Sequence, residues 1–386
     1  MTSNGIAIIG AGMIGAAHAN GYRTHLPRFA SKLLGLKLAQ VCDVNRPLAE
    51  VLAVTYGFEK VVSDWREVLA SSDIGIVSIC LPNFLHTEVM EAALESGKHV
   101  ICEKPLANNS ADAKRLFSKS QSSIGVAATV FNYRRVPAVT EIRNLIVSGD
   151  IGDPIHILVQ FQAEYAADPL LPFSWRYERN MAGAGALLDV GTHAIDTARY
   201  LCGDVIEVAG AIKRISIKER FVPVKATKGH GRVQLSEEKR TVDNDDVVSA
   251  ILRFENGCQG IFSASRVATG MNNTLSFVVS GTKGTIRFTS ERLGEYEIAR
   301  RNESGTFSVV PNHPTSPFSD LISVPHDGVG VGYAESFGFM IHEFLSTIAE
   351  GGKMKSGSVE DGLRAACILD AIQEAIRTRL PVSVEK

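Results

Sequence analysis

The chain has 386 residues, of which 45% are hydrophobic and 21% are charged. At about 150 residues per domain this length predicts two or three domains, and the composition is that of an ordinary globular protein. A formal net charge of -2 argues against the polybasic surface of a protein that binds nucleic acid or membrane lipids, and no run reaches the roughly 18 to 20 apolar residues of a membrane helix.

The first third of the chain alternates short apolar runs with helical patterns. Strands are predicted at residues 5–10, 37–44, 74–81, 99–102 and 124–131, and helices at 13–25, 47–56, 87–96 and 110–120. Near-continuous apolar strands that alternate with helices indicate a parallel sheet covered on both faces. We therefore predict an α/β fold whose N-terminal domain, residues 1–133, is a doubly wound parallel sheet of the Rossmann type.

The pattern changes after about residue 133, where strands with one polar side begin. Residues 154–165 alternate apolar and polar positions, and Asn256-Gly257 between the runs 247–254 and 259–265 predicts a hairpin. A second hairpin is predicted from 275–280 and 285–289, and helices from 139–148, 184–201, 333–350 and 359–378. Residues 134–386 are therefore predicted to form an α+β domain with a large, mostly antiparallel sheet that binds substrate and mediates oligomerisation.

Two segments between these elements are predicted to be irregular. Residues 213–246 indicate an exposed connection or irregular strands, and residues 312–332 form a long loop rich in Pro and Gly. Long ordered loops are often functional, so this loop and residues 165–172 are expected to shape the substrate site. The six cysteines are widely scattered and form no C-x-x-C pair, which indicates a reduced, cytoplasmic protein without a zinc cluster.

A glycine motif, Gly10-Ala11-Gly12-Met13-Ile14-Gly15, lies between the first predicted strand and the first predicted helix. In such a motif the first glycine permits a tight turn, the second lets the backbone approach a pyrophosphate, and the third lets the helix pack on the sheet. The helix N-terminus offers unpaired N–H groups and a positive dipole end to the phosphates. In this strand–helix context the motif predicts dinucleotide binding, whereas an isolated glycine turn would be structural.

An acidic residue at the end of the second strand of such a domain binds the ribose hydroxyls, and Asp43 has this position. It lies 28 positions after Gly15, farther than the roughly 20 of the usual motif, which we attribute to an insertion around residues 26–35. A carboxylate here repels the extra phosphate of NADP and favours NAD. Arg46 lies three residues further on and could pair with that phosphate, so NADP stays open as the alternative cofactor.

A second motif, Glu103-Lys104-Pro105, follows the predicted strand 99–102. It therefore lies at the carboxyl edge of the sheet, where parallel sheets bind ligands. The proline fixes the chain there, and the lysine is expected near the nicotinamide end of the cofactor. An isolated E-K-P would instead be a surface lysine before a turn.

Asp189 and His193 are four residues apart within the predicted helix 184–201. This spacing places both side chains on one helix face, which Asp196 extends. Oxidation of a hydroxyl by hydride transfer needs a general base, and an imidazole with an unperturbed pKa of about 6.5 makes His193 a candidate. Taken alone, such a pair is more often a surface pair or a metal site.

The chain resembles the two-domain sugar dehydrogenases of the glucose–fructose oxidoreductase and inositol dehydrogenase family (Gfo/Idh/MocA). The resemblance covers the whole chain and rests on motifs that occur together and in this order: Gly10–Gly15, Leu81-Pro82-Asn83 with His86, Glu103-Lys104-Pro105, Asn132-Tyr133-Arg134-Arg135, Ser174-Trp175-Arg176, Asp189-x-x-x-His193 and Gly281-Thr282-Lys283-Gly284. It implies that Lys104, Asp189 and His193 form the catalytic set.

The resemblance also implies binding residues and a division of roles. The residues expected along the cofactor, besides the glycine motif, Asp43 and Arg46, are Leu81, Pro82, Asn83, His86, Glu103, Lys104 and Asn132, with Trp175 and Arg176 from the second domain. We interpret His193 as the proton acceptor, Lys104 as a donor to the reacting oxygen, and Asp189 as the acceptor for a neighbouring hydroxyl. Tyr133, Arg134 and Tyr165 are candidates for binding other hydroxyls. Some family members use a tyrosine or the lysine as the acid/base, so Lys104 stays open as the alternative to His193.

These motifs favour an NAD-dependent dehydrogenase that oxidises a secondary hydroxyl of a sugar, anhydrosugar or cyclic polyol to a ketone. The alternatives are a glycosidase that oxidises its substrate transiently with bound NAD, and a regulator that binds the dinucleotide without chemistry. The joint presence of Lys104, Asp189 and His193 argues against the regulator. The expected partners are a small sugar or polyol and further copies of the chain, as a homodimer or homotetramer, with no metal, nucleic acid or membrane.

Overall fold

The computed structural model describes residues 4–225, 231–303, 305–311, 318–322 and 330–385. The chain forms two compact units, of which the first contains Met1–Asn132 and Ala334–Leu363 and the second contains Tyr133–Tyr333 and Arg364–Lys386. The division expected from the sequence, a single boundary at residue 133, does not include this return of the chain to the first unit.

A parallel sheet forms the centre of the first unit. Its strands are β1 (Gly5–Ile9), β2 (Lys37–Cys42), β3 (Lys60–Val62), β4 (Ile74–Ile79), β5 (His99–Cys102) and β6 (Ala127–Thr129). The helices that follow its strands are α1 (Met13–Phe29), α2 (Arg46–Tyr56), α3 (Trp65–Ala70), α4 (His86–Glu95) and α5 (Ser110–Ser122). The strand order is β3-β2-β1-β4-β5-β6 with every pair parallel, and β1 is buried at every position. The predicted Rossmann sheet is therefore confirmed, with β3 and α3 as additional short elements.

A large, mostly antiparallel sheet forms the second unit. Its strands are β7 (Pro154–Gln162), β8 (Val205–Arg214), β11 (Val247–Phe254), β12 (Gln259–Ser265), β13 (Thr274–Gly281), β14 (Gly284–Thr289), β15 (Glu295–Arg300), β16 (Ser308–Pro311) and β17 (Val382–Ser383), in the order β16-β15-β14-β13-β7-β12-β11-β8-β17. Only β7 and β12 pair in parallel. Both predicted hairpins are confirmed, because β11 pairs with β12 and β13 pairs with β14 in antiparallel register.

The remaining helices are α6 (Pro137–Val147), α7 (Arg179–Ala182), α8 (Ala186–Asp189), α9 (Gly191–Cys202), α10 (Tyr333–Glu350) and α11 (Val359–Thr378). Short 3-10 turns lie at Asn83–Leu85, Asn132–Arg135, Trp175–Tyr177, Ser290–Arg292 and Ser319–Leu321. Of the helices in the described ranges, none is both long enough and apolar enough to cross a membrane.

The predicted single helix over residues 184–201 is wrong, since the structure has two helices there. α8 ends at Asp189, and α9 begins at Gly191. At Gly191 the chain approaches β12 so closely that an added Cβ would lie 3.0 Å from Phe262 Cζ and 3.3 Å from Ala264 Cβ. The tertiary contact with the sheet, which local spacing does not encode, therefore accompanies the break between Asp189 and His193.

The two segments predicted to be irregular differ in outcome. Within residues 213–246, a separate two-stranded antiparallel sheet is formed by β9 (Glu219–Pro223) and β10 (Leu235–Thr241), while residues 226–230 lie outside the described residues. Within the predicted loop 312–332, residues 312–317 and 323–329 lie outside the described residues, and Ser319–Leu321 forms one 3-10 turn.

The nine-stranded sheet buries one face and exposes the other. Along β7, Ile157, Val159 and Phe161 are buried in the hydrophobic core of the second unit, whereas Leu158 and Gln160 between them are exposed. This alternation is typical of an antiparallel sheet with a single covered face. On the covered side, residues of α6, α9 and α11 complete the same core.

In the first unit, α1 and α10 approach closely where each carries a glycine. A Cβ added at Gly21 would lie 2.7 Å from Ile341 Cδ1 and 3.3 Å from Gly338 Cα. The same close approach brings His25 of α1 and His342 of α10 together, with ring centroids 5.4 Å apart. Both helices therefore place a titratable ring within their contact.

His25 is expected to make the stability of this contact depend on pH. Burial, followed by the positive charges of His342 and Arg28, lowers the pKa of His25 to about 4. The unfolded chain, with a histidine pKa of about 6.5, then binds more protons than the folded chain between these two values. The free energy of unfolding should therefore fall with decreasing pH in this window, by up to about 1.4 kcal/mol per pH unit for one histidine.

The variant His25→Leu should show a shallower loss of stability on acidification. Part of the loss should remain, because burial also lowers the pKa of His342. Urea unfolding of both proteins at neutral pH and at about pH 5 measures the two slopes. Equal slopes in the wild-type and variant proteins would contradict this assignment.

Candidate active site

The glycine turn lies between β1 and α1 and has the geometry that its sequence predicts. Gly10 has a φ of 104°, and an added Cβ would lie 2.3 Å from the Cys80 carbonyl oxygen. A Cβ on Gly15 would lie 2.0 Å from the Gly10 carbonyl oxygen. Only glycine fits at these two positions, because the backbone is either left-handed or in direct contact with another backbone.

The turn leaves room for a negatively charged ligand at the start of α1. No atom lies within 4 Å of an added Cβ on Gly12, which is the N-cap residue, and no side chain caps the helix. The first N–H groups of a helix have no intrahelical partner and attract anions. These features fit the pyrophosphate of a dinucleotide, and they involve Met13 and Ile14 as the first residues of α1.

Asp43 connects the end of β2 to the glycine turn. Its Oδ2 accepts a hydrogen bond from the Ala11 N–H at 2.8 Å, and its Oδ1 accepts one from the Asn45 N–H at 2.7 Å. Arg46, the residue considered for an NADP phosphate, donates from Nε to Glu50 Oε1 at 2.9 Å on the exposed surface. The structure thus gives Asp43 a role in holding the turn, and its contact with ribose stays a prediction.

His86 joins two loops at the carboxyl edge of the parallel sheet. It is 1% exposed, and its ring nitrogens lie 2.7 Å from the Pro105 carbonyl oxygen and 2.8 Å from the Leu81 carbonyl oxygen. Burial lowers its pKa, so the neutral ring donates to one of these two oxygens. His86 therefore holds the Leu81-Pro82-Asn83 segment to the loop after β5.

Glu103 is held by a buried chain of polar side chains that the sequence analysis did not identify. Its Oε1 lies 3.1 Å from Nε2 of His18, and its Oε2 accepts a hydrogen bond from the Lys104 N–H at 3.2 Å. Nδ1 of His18 lies 3.2 Å from Ser78 Oγ, which lies 2.9 Å from the Tyr22 hydroxyl. The Glu103 carboxylate is thus turned toward the protein interior, where it orients the peptide of Lys104. Pro105 follows in a cis peptide bond.

In the second unit, Asp189 and Tyr165 form a partly buried hydrogen-bonded pair. The Tyr165 hydroxyl donates to Asp189 Oδ2. Burial and then the Asp189 charge raise the pKa of Tyr165 well above its usual range, so the phenol stays protonated and acts as the donor. The sequence makes Tyr165 a candidate for binding substrate hydroxyls. In the structure its hydroxyl contacts the carboxylate of Asp189, a candidate catalytic residue.

His193 is placed in the first turn of α9 between two aromatic rings. Its centroid lies 5.0 Å from that of Tyr133, nearly perpendicular, and 5.7 Å from that of Phe161, nearly parallel. The side chain of His193 is buried, with 8% of the residue exposed. Tyr133 itself shares a side-chain hydrogen bond with Ser290. The two rings fix the plane of the imidazole in this unit.

Other predicted site residues have strong partners within their own unit. Arg134 forms a buried bidentate pair with Asp196, from Nε to Oδ2 at 2.8 Å and from Nη2 to Oδ1 at 2.6 Å. Asn132 donates to Ser336 Oγ at 3.0 Å. The Arg176 guanidinium lies over the Trp175 ring at 4.5 Å. Among the residues that the structure describes, no group of His, Cys, Asp and Glu could hold a metal ion.

Comparisons with known proteins agree with the resemblance drawn from the motifs. Residues 4–129 match the family model "Oxidoreductase family, NAD-binding Rossmann fold", and residues 139–287 match "GFO/IDH/MocA C-terminal domain". Levoglucosan dehydrogenase of Pseudarthrobacter phenanthrenivorans is 37% identical over 97% of this chain and 96% of its own length. Inositol 2-dehydrogenase of Rhizobium meliloti is 27% identical over 98% of each chain.

A solved structure shows the same similarity over complete chains. "Levoglucosan dehydrogenase, complex with NADH and levoglucosan" superposes with a TM-score of 0.90 at 35% identity and covers 100% of both chains. The predicted family, the cofactor class and the assignment as an oxidoreductase are therefore confirmed. The individual site residues stay predictions.

Removal of His18 should destabilise the first unit through Glu103. In His18→Ala the buried carboxylate loses a hydrogen-bond partner, which we expect to lower the free energy of unfolding by about 3 kcal/mol. Tyr22→Phe is the matched control, because it removes only the hydroxyl at the far end of the chain and should lower stability by about 1 kcal/mol. Urea unfolding measures both changes, and a His18→Ala effect no larger than that of Tyr22→Phe would disprove the importance of the pair.

Proposed function

The chain belongs to the Gfo/Idh/MocA family of oxidoreductases, and from this premise we propose that it oxidises a secondary hydroxyl of a sugar or cyclic polyol to a ketone, with NAD as the acceptor. The observation that carries the proposal is the assembly of Tyr165, Asp189 and the ring-bounded His193 in one unit. Asp189, which Tyr165 holds, and His193 at the start of α9 offer two groups that can each bind a hydroxyl. A substrate with several hydroxyls can use both groups.

We propose the residues of the first unit as the main cofactor site. The N–H groups of the Gly10–Gly15 turn would hold the pyrophosphate, and Asp43 the ribose. The residues proposed along the remainder of the cofactor are Leu81, Pro82, Asn83, His86, Asn132, Trp175 and Arg176. Bound NAD supplies the hydride acceptor for the reaction.

The proton of the reacting hydroxyl is taken by a ring nitrogen of His193 in this proposal. As hydride leaves the carbon, the oxygen loses its proton and the C–O bond becomes a carbonyl, so an acceptor for that proton is required. Tyr133 and Phe161 hold the imidazole in one plane, which keeps the accepting nitrogen aimed in a fixed direction. Lys104 donates a hydrogen bond to the same oxygen and stabilises its developing negative charge.

Asp189 positions the substrate through a neighbouring hydroxyl. Asp189 Oδ2 accepts from the protonated Tyr165, and the same carboxylate is the acceptor proposed for the sugar. A carboxylate oxygen accepts hydrogen bonds from hydroxyl groups. This arrangement distinguishes polyols with adjacent hydroxyls from simple alcohols.

Among the substrate classes, we propose an anhydrosugar such as levoglucosan as the first to test. The identity to levoglucosan dehydrogenase is 37%, whereas the inositol, apiose and glucoside dehydrogenases in the same comparison are 23% to 29% identical. Levoglucosan dehydrogenase has been solved with levoglucosan bound, and its higher identity favours the anhydrosugar over the inositols.

Offered NAD with levoglucosan, inositols or simple pyranoses, the protein should form NADH, which is measured by absorbance. The variant His193→Ala should lower kcat by roughly 10²- to 10⁴-fold, the contribution of a general base. Its affinity for NADH, measured by fluorescence, should stay within about twofold because the glycine turn is unchanged. Full turnover by His193→Ala would refute the assignment of the base, and no NADH from a broad panel would refute the dehydrogenase.

We further propose that the open face of the nine-stranded sheet packs against a second copy of the chain. Near its centre Leu158 and Ile261 are 41% and 48% exposed, and Ile251 is 55% exposed on the neighbouring β11. A contiguous apolar surface of this kind marks an interaction site. A two-fold pairing of one surface with itself is the commonest arrangement of homo-oligomers.

The variant Ile261→Asp should dissociate such an oligomer. A carboxylate at the centre of the face would be buried without a partner in the complex but solvated in the monomer. Light scattering coupled to size-exclusion chromatography measures the mass of each protein. Ile124→Asp is the matched control, since Ile124 is 87% exposed on the first unit; dissociation by both variants, or by neither, would contradict the proposed surface.

The state of the cysteines supports a reducing compartment, which we propose is the cytoplasm. All six are free thiols, and five are buried. Disulfides form and persist in oxidising compartments, whereas free thiols are usual in the reducing cytoplasm.

A further inference from the structure

Arg220 on β9 is a buried cation whose guanidinium group binds backbone carbonyl oxygens. It is 1% exposed. Its Nη1 donates to the carbonyl oxygens of Asp168 at 2.8 Å and Leu171 at 3.4 Å, and its Nη2 donates to the carbonyl oxygen of Ala166. Among the described residues, no carboxylate lies within ion-pair distance of it. A buried charge without an oppositely charged partner is unfavourable, so its retention calls for a function.

The three carbonyl groups belong to one segment, residues 166–171, which we call the clamp loop. It follows β7 and begins directly after Tyr165. Its first residue is also held through its N–H, because Ala166 donates to the Arg266 carbonyl oxygen at 3.0 Å. Just beyond the loop, Phe173 donates from its N–H to the Phe221 carbonyl oxygen, next to Arg220 on β9. The loop is therefore attached to β9 by both side-chain and backbone hydrogen bonds.

A second arginine and a tyrosine support Arg220 from the interior. The Tyr177 ring lies between the two guanidinium groups, 4.3 Å from that of Arg220 and 4.8 Å from that of Arg266. The nearest buried carboxylate, Asp246, is bound to Arg266 at 2.9 Å, and Arg266 also donates to Asn244 Oδ1. The charge of Arg220 is thus compensated at contact distance by carbonyl dipoles and one aromatic face, and beyond ion-pair distance by the charges of Asp246 and Asp168. The carbonyls lie in the clamp loop.

We propose that Arg220 is a positioning residue for sugar recognition, acting through the clamp loop on Tyr165 and Asp189. Ala166 is fixed at both its N–H and its C=O, which fixes the backbone of the preceding Tyr165. The Tyr165 hydroxyl then remains bonded to Asp189, whose carboxylate is the acceptor proposed for the substrate. This inference rests on the proposed function of Asp189, and it adds a residue that touches neither substrate nor cofactor.

The chemistry of the guanidinium explains why arginine is suited to this position. Its five donors lie in one plane and diverge from a rigid fork, so a single side chain reaches three carbonyls of a turning loop. A lysine ammonium is a compact charge on a flexible stem and cannot reproduce this spread. Stability alone does not call for a charge at this position, since well-packed apolar groups commonly replace buried charges without loss of stability.

The variants Arg220→Lys and Arg220→Gln test the proposal, with Arg232→Gln as the matched control. Arg232 lies on the surface and pairs with Asp168 of the same loop at 2.7 Å, with 72% of its side chain exposed. Loss of one or two carbonyl bonds should raise KM for the sugar about tenfold, while the dissociation constant of NADH stays within about twofold. The control should change neither quantity. A lower melting temperature with an unchanged KM in both Arg220 variants would show a merely structural role and overturn the proposal.

Hydrogen exchange gives a readout that does not depend on activity. The amides of Ala166 and Phe173 should exchange faster in Arg220→Lys than in the wild-type protein, while the amides of β11 and β12 keep their rates. Unchanged exchange throughout residues 163–173 would mean that the guanidinium does not hold the loop.

A double-mutant cycle with Tyr165→Phe separates this proposal from the proposed function. If Arg220 acts through Tyr165, the KM of Arg220→Lys/Tyr165→Phe should equal that of Tyr165→Phe alone, because both changes remove the same effect. Additive increases would overturn the proposal. If Tyr165→Phe and Asp189→Asn leave the KM unchanged, the role proposed for Asp189 fails; if they raise it and both Arg220 variants do not, only the positioning role fails.

Discussion

A polar side chain that is removed from water has to find a partner inside the protein, and this constraint organises the candidate site residues within each unit. Glu103 is held by His18, Asp189 by Tyr165, and Arg134 by Asp196. The sequence patterns include Tyr165 and Asp196, whereas no pattern marks His18, the partner of Glu103. The pairs restrict the rotamers of Glu103, Asp189 and Arg134.

In the first unit, hydrogen bonds of polar side chains connect the loops at one edge of the parallel sheet. The Gly10 turn lies against the Cys80 carbonyl, Asp43 binds the Ala11 N–H, and His86 links the loops after β4 and β5. These contacts connect loops that follow different strands, so the edge is one hydrogen-bonded structure. A cofactor that binds there meets a surface whose loops are already held in place, and its binding does not have to order them.

The sheets of the two units differ in how many of their faces are covered, and this difference decides which of their surfaces a ligand can reach. The six parallel strands are covered on both faces by helices, so only their edge is available to a ligand. The nine-stranded sheet covers one face and leaves apolar residues such as Leu158 and Ile261 on the other. The covered face carries α8 and α9 with Asp189 and His193, so the proposed chemistry and the proposed oligomer surface lie on opposite faces of one sheet.

The features that follow from backbone geometry, turn preferences and apolar patterns can be predicted from the amino-acid sequence alone. The glycine turn follows from backbone geometry at Gly10 and Gly15, the hairpin at Asn256-Gly257 from turn preferences, and the strand types from their apolar patterns. The other features depend on contacts between elements that are far apart in the sequence. The break before Gly191 accompanies contact with β12, the return of Ala334–Leu363 reflects packing of α10 on α1, and the partners of Glu103 and Arg220 lie 85 and 54 positions away along the chain. Such contacts join residues whose separation in sequence has no fixed period, so no local pattern predicts them.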